Sequence, residues 1–166
     1  MAQEFEIQPS PRRLAQGTAV DPSGGAWTPT LTFQTPGDLS VTYGTRTGRY
    51  KRDADLVEVA FTVITTAFTH TTGSLVVQIT GLPFDCGQGS QKYSGSIVFG
   101  GVTKAGFTQF TPDVIWGGGY IYFWCSGSGV ATETLKAADL PSGGDVWLEG
   151  SAKYITTAGG KGYSIG

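Results

Sequence analysis

Tyr93, Tyr120, Tyr122 and Trp124 carry the most evident chemistry in this sequence. Exposed on a sheet, such rings stack on sugar faces; buried, they fill a core or a subunit interface. Other groups offer less. His70 is the only histidine, set among Thr69, Thr71 and Thr72, and it reads as a solvated loop residue rather than a general base. Asp53 and Asp55 are the nearest approach to a metal-ligand cluster, and they read as a turn. With 13 acidic residues some carboxylate pair at glycosidase spacing is unavoidable, so such a pair carries no signal. Gly100-Gly101 and Gly117-Gly118-Gly119 are not followed by the Gly-Lys-Ser/Thr of a phosphate loop and read as turns. Cys86 and Cys125 make no disulfide framework and fit no zinc spacing, so both are expected as free thiols. No catalytic residue, metal or cofactor is expected.

The elements that must position these side chains have the period of strands. Asp55–Thr66 is the clearest, with Val57, Val59, Phe61 and Val63 on one face and Glu58, Ala60 and Thr62 on the other. Thr65–Thr72 reads as a loose hairpin leading into a second strand, Gly73–Thr80, which carries Leu75, Val77 and Ile79. Gly81-Leu82-Pro83-Phe84 breaks the ladder, and Asp85–Gln91 is a Gly-rich loop. Tyr93–Gly100 and Phe107–Trp116 are further strands. In Tyr120–Cys125, Tyr120, Tyr122 and Trp124 face one way and Ile121, Phe123 and Cys125 the other. A strand apolar on both faces belongs at the centre of a sheet or under a neighbouring subunit. Thr132–Leu140 is the one helix-like piece, with Thr132 as its cap, and Asp145–Thr156 is a closing strand. Upstream, Gly25–Tyr50 holds three short runs separated by turns at Pro36-Gly37-Asp38 and Arg46-Thr47-Gly48. About eight or nine short strands with turn signals between them predict an all-β fold, an antiparallel β-sandwich or jelly roll.

Composition bounds the rest. A chain of 166 residues suits one domain with a real core. Gly is 26 of 166 and charged residues are 14%, against about 25% in an ordinary domain, which favours strands and tight turns. The net charge of −2 supplies no basic field for phosphates, so nucleic acid is not an expected partner. No stretch approaches the ~18 apolar residues of a membrane span, and no apolar run follows Arg12-Arg13 as a secretory signal would require. Residues 1–24 show no sustained period; Phe5 and Ile7 alternate with Glu4, Glu6 and Gln8, then Pro9, Pro11 and Pro22 keep the chain extended. Such a segment buries too little apolar surface to offset its ordering entropy alone, so it is expected to be an arm pinned by a partner. The expected organisation is an arm over 1–24, a sandwich over 25–156 and a Gly-rich tail over 157–166.

Gly25-Ala26-Trp27-Thr28-Pro29-Thr30-Leu31-Thr32-Phe33 resembles the opening of a β-sandwich module found in bacteriophage tail-fibre, tailspike and minor virion structural proteins. The resemblance continues at Thr42-Tyr43, at Gly48-Arg49-Tyr50 with Arg52 and Val57, and at Gly81-Leu82-Pro83-Phe84. It closes at Leu148-Glu149-Gly150-Ser151-Ala152-Lys153-Tyr154, where the family ends on a Ser-Gly-x-Tyr-like strand. Asp53-Ala54-Asp55 departs from it, since the family commonly has Gly near that turn. The resemblance implies a non-enzymatic virion protein, homotrimeric, assembled in the host cytoplasm. No shaft of heptads or β-helical repeats is present, so the expectation is a capsid decoration or cement protein, or a short head fibre. Phe5 and Ile7 would add a short strand or apolar plug to another virion protein, with Arg12 and Arg13 pairing with acidic groups there. The alternative is a tail-fibre-type module that recognises a host cell-surface glycan through Tyr93, Tyr120, Tyr122 and Trp124.

Overall fold

Strict alternation along β4 (Leu56–Thr69) sets the architecture: Val57, Val59, Phe61 and Val63 are buried, while Glu58 and Ala60 are exposed and Thr62 is half-exposed. The structure, a computed structural model, describes residues 23–71, 76–87 and 93–156. β4 pairs antiparallel with β3 (Ser40–Asp53) through a tight turn at Ala54-Asp55, where Ala54 takes a positive φ of 51°. The first sheet has the order β1 (Ser23–Trp27), β3, β4, β10 (Trp147–Ile155), β6 (Tyr93–Gly100). The second runs β2 (Thr30–Phe33), β5 (Val77–Thr80), β8 (Tyr120–Ser126), β7 (Gln109–Val114), with the short β9 (Glu133–Thr134) also beside β8. Every pairing is antiparallel. The chain is therefore an all-β sandwich. Its core joins Leu31, Phe33, Ile79, Ile121 and Phe123 of one sheet to Val57, Val59, Leu148 and Tyr154 of the other.

Only Thr28 and Pro29 separate β1 from β2, so one line of chain pairs first with one sheet and then with the other. Pro29 stands at this crossing, where no ladder N–H is required. At the opposite end of β1, Ser23 registers with Arg52, Ile155 registers with Leu56, and the Thr156 N–H donates to Asp55 O at 2.8 Å. Both ends of the described body thus lie at the end of the sandwich that carries the Ala54-Asp55 turn, with β3 and β4 between them. At the far end, Lys104 Nζ lies 2.8 Å from Asp139 Oδ2 and 3.4 Å from Glu133 Oε1, with only 9% of its side chain exposed. This amine ties the loop after β6 to β9 and to a 3-10 turn, Ala137–Asp139.

Several boundaries differ from the sequence expectation. β1 starts at Ser23, so the last two residues of the expected arm belong to the sandwich; the rest of the arm and the 157–166 tail lie outside the described residues. Arg46-Thr47-Gly48, expected as a turn, is the middle of β3 and pairs with Val63, Thr62 and Phe61 of β4 without interruption. Gly48 is there for packing: Trp27 lies over it. The loose link expected from Thr65 is also strand. β4 runs on to Thr69 because Phe68 drops into the core with no exposure. Thr132–Leu140 is not a helix. Leu135 donates its N–H to Phe123 O and accepts from the Val77 N–H, so the sheet captures the backbone that a helix would have used. The placement of Tyr120–Cys125 at a sheet centre is correct, since β8 has β7 on one edge and β5 and β9 on the other.

Candidate functional site

The outward positions of the first sheet form registered rows. Thr47, Thr62, Glu149 and Val98 make one, and Arg49, Ala60, Ser151 and Ser96 make the next. Small side chains predominate because the sheet already buries its large residues inward, and they leave a shallow groove of about 370 Å³ across β3, β4, β10 and β6. Arg49 stands on one side of the groove and Glu149 on the other; among the described residues neither joins an ion pair. Ser96 Oγ and Ser151 Oγ lie 3.3 Å apart in its wall. Apolar groups surround it. Of the six exposed large apolar side chains among the described residues, Leu56, Val98, Trp147 and Ile155 all project from this one face. Isolated exposed apolar residues are ordinary, whereas a cluster on a sheet face marks a contact surface.

The predicted aromatic site divides. Tyr120, Tyr122 and Trp124 alternate along β8 on the outer face of the second sheet, whereas Tyr93 starts β6 in the other sheet, in register with Lys153. Tyr122 is not a surface residue: it is 5% exposed. Its hydroxyl donates to Asp113 Oδ2 at 2.9 Å, and the Trp124 indole N–H reaches the same oxygen at 3.1 Å and Tyr122 Oη at 3.0 Å. The rings meet edge to face at 5.4 Å. Asp113, itself 3% exposed, organises this cluster and was missed in the sequence. The available signal was the hairpin register, since pairing Phe107–Trp116 with Tyr120–Cys125 sets Asp113 opposite Tyr122. Tyr120 and Trp124 remain half-buried. Phe5, Ile7, Arg12 and Arg13 lie outside the described residues.

His70 is also corrected. It is 9% exposed, with its ring 5.1 Å from Phe33 and 5.4 Å from Phe68, both edge to face. Neither ring nitrogen has a hydrogen-bond partner among the described residues, so the imidazole acts as an aromatic filler. Its backbone is fixed instead, the N–H to Ser142 Oγ and the carbonyl accepting from the same hydroxyl. Cys125 is fully buried and its thiol is pushed up to about 12 by burial; Cys86 is raised by burial and then by the charge of Asp113. Neither is an activated nucleophile, for which a lowered thiol pKa is needed. Among the described residues no group of three or more His, Cys, Asp or Glu side chains converges to hold a metal. Comparison with known proteins finds no matching family model, curated protein or solved structure.

Proposed function

We propose that this chain is a non-enzymatic structural protein of a bacteriophage particle, homotrimeric, decorating the capsid or forming a short head fibre and held there by its N-terminal arm. The observation that carries the reading is that Leu56, Val98, Trp147 and Ile155 stand exposed on the same outward sheet face as the groove, in two pairs to either side of it. Several large apolar side chains left exposed on one sheet face mark a contact surface. The motif resemblance supplies the particle, and Phe5, Ile7, Arg12 and Arg13 supply the arm's anchoring chemistry. In a multi-copy assembly, weak individual contacts sum through avidity.

Deleting residues 1–22, which leaves β1 intact, should give a folded sandwich that no longer co-sediments with particles. Normal decoration by the truncated protein would overturn the anchoring role. The second reading is recognition of a host surface glycan, favoured by the half-buried rings of Tyr120 and Trp124. A glycan array on Tyr120→Ala separates the two readings. Tyr122→Ala does not, because that hydroxyl holds Asp113 and its loss disturbs the sheet.

A further inference from the structure

We propose that the groove on the outer face of the first sheet receives the N-terminal arm, residues 1–22, of a second copy of the chain. The inference rests on the reading of the arm as an anchor and names what it anchors to between copies. The groove opens along the face across four strands, a shape suited to an extended segment rather than to a compact small molecule. Its charges are a lone cation and a lone anion, Arg49 and Glu149. The arm carries the counterparts, Arg12-Arg13 for Glu149 and the acids Glu4 and Glu6 for Arg49, with Phe5 and Ile7 beside those acids and so over the groove floor at Ala60 and Thr62.

Direction, rather than reach, favours a second copy. From β1 to β10 is three strand spacings, about 15 Å at ~4.8 Å each. The stretch from Arg12 to Ser23 extends to roughly 35 Å, so length is no obstacle. β1 is entered at the end beside the Ala54-Asp55 turn, and an arm that continues its line leaves the body there. Occupying its own groove would require the chain to double back over the face, whereas a neighbour's groove can be met in passing. Each copy would then donate one arm and accept another, and a head-to-tail contact of this kind makes a ring when the rotation between copies closes. A three-membered ring is the trimer proposed above.

The test is a photo-crosslinking residue at position 7 of the full-length chain, followed by peptide mapping. Crosslinks between chains joining position 7 to β4 or β10 are expected. Ala60→Trp, which fills the exposed groove floor without touching the core, should abolish them while far-UV circular dichroism shows the sandwich still folded. Glu149→Arg should weaken self-association about tenfold or more, the scale of reversing a charge at a desolvating contact. Combining it with Arg12→Glu and Arg13→Glu in one chain should restore association. Crosslinks confined to single chains, crosslinks to another surface, or indifference to Ala60→Trp would each overturn the proposal. So would an Ala60→Trp protein that self-associates normally but loses binding to host polysaccharide, which would assign the groove to a glycan. If crosslinks between chains are missing while particles still bind the full chain and not the truncated one, the anchoring function stands and only this inference fails.

Discussion

The Trp27 indole occupies the space that a side chain at position 48 would need: a Cβ on Gly48 would collide with Trp27 Nε1. The same nitrogen is placed 3.2 Å from both Arg49 O and Ala60 O, so the ring is fixed from two strands at once. Gly48→Ala must therefore displace Trp27, at a cost of about 1–3 kcal/mol for overpacking. Denaturant unfolding would measure it, and in a Trp27→Ala background the same change should cost almost nothing. Equal costs in both backgrounds would show that the pair is not coupled.

Lys104 makes the second prediction. Burial pulls its pKa down, but the hydrogen bond and charge of Asp139, with Glu133, outweigh that and leave it raised above 10.5. Lys104→Met should destabilise by about 3 kcal/mol, the low end for breaking a buried pair, since the Glu133 side chain is 41% exposed. Because the folded pKa is raised, this stabilisation is complete below pH 10.5 and is lost above it. A pH series of urea midpoints should show the loss in the parent and a flatter profile in the variant.

Cys125 should open the alkaline transition earlier. Its thiol rises from 9.0 to about 12 through burial, so the folded state holds this proton more tightly than the unfolded chain. The associated stability is present below pH 9 and falls as pH climbs towards 12. Cys125→Ala lowers the baseline by opening a cavity, yet it should remove part of the slope in that window. Fast labelling of Cys125 by a thiol reagent at pH 8 in native protein would contradict this.

His70→Phe should be neutral or stabilising by up to about 1 kcal/mol, since a buried polar group without a hydrogen-bond partner is replaced by an apolar ring of similar shape. Thermal unfolding would decide it. A marked loss of stability would mean that the imidazole makes a polar contact beyond the described residues.

The inward face of the sandwich was legible because period two is decisive wherever one face is buried: Val57, Val59, Phe61 and Val63 name themselves. Arg46-Thr47-Gly48 misled because Gly and Thr signal a turn in isolation, and only Trp27, 21 residues earlier in the numbering, explains the glycine. His70 looked solvated among threonines, but the contact that buries it comes from Phe33 on another strand. Thr132–Leu140 has helix spacing, yet its hydrogen bonds go to Val77 and Phe123. The groove was half visible. Ala60 and Thr62 were read as outward, while their alignment with Ser151 and Glu149 depends on a pairing between strands nearly ninety positions apart.

Ser23 and Thr156 lie at the same end of the sandwich as the Ala54-Asp55 turn, so attachment through the arm, as proposed, would hang the body from that one pole. The opposite pole, with its loops at 34–39, 101–108 and 127–132, is then turned towards whatever lies outside. Foreign peptides displayed there would stand clear of the attachment, and a circular permutant reopened at Gly129, where an added Cβ meets nothing within 4 Å, would hang upside down.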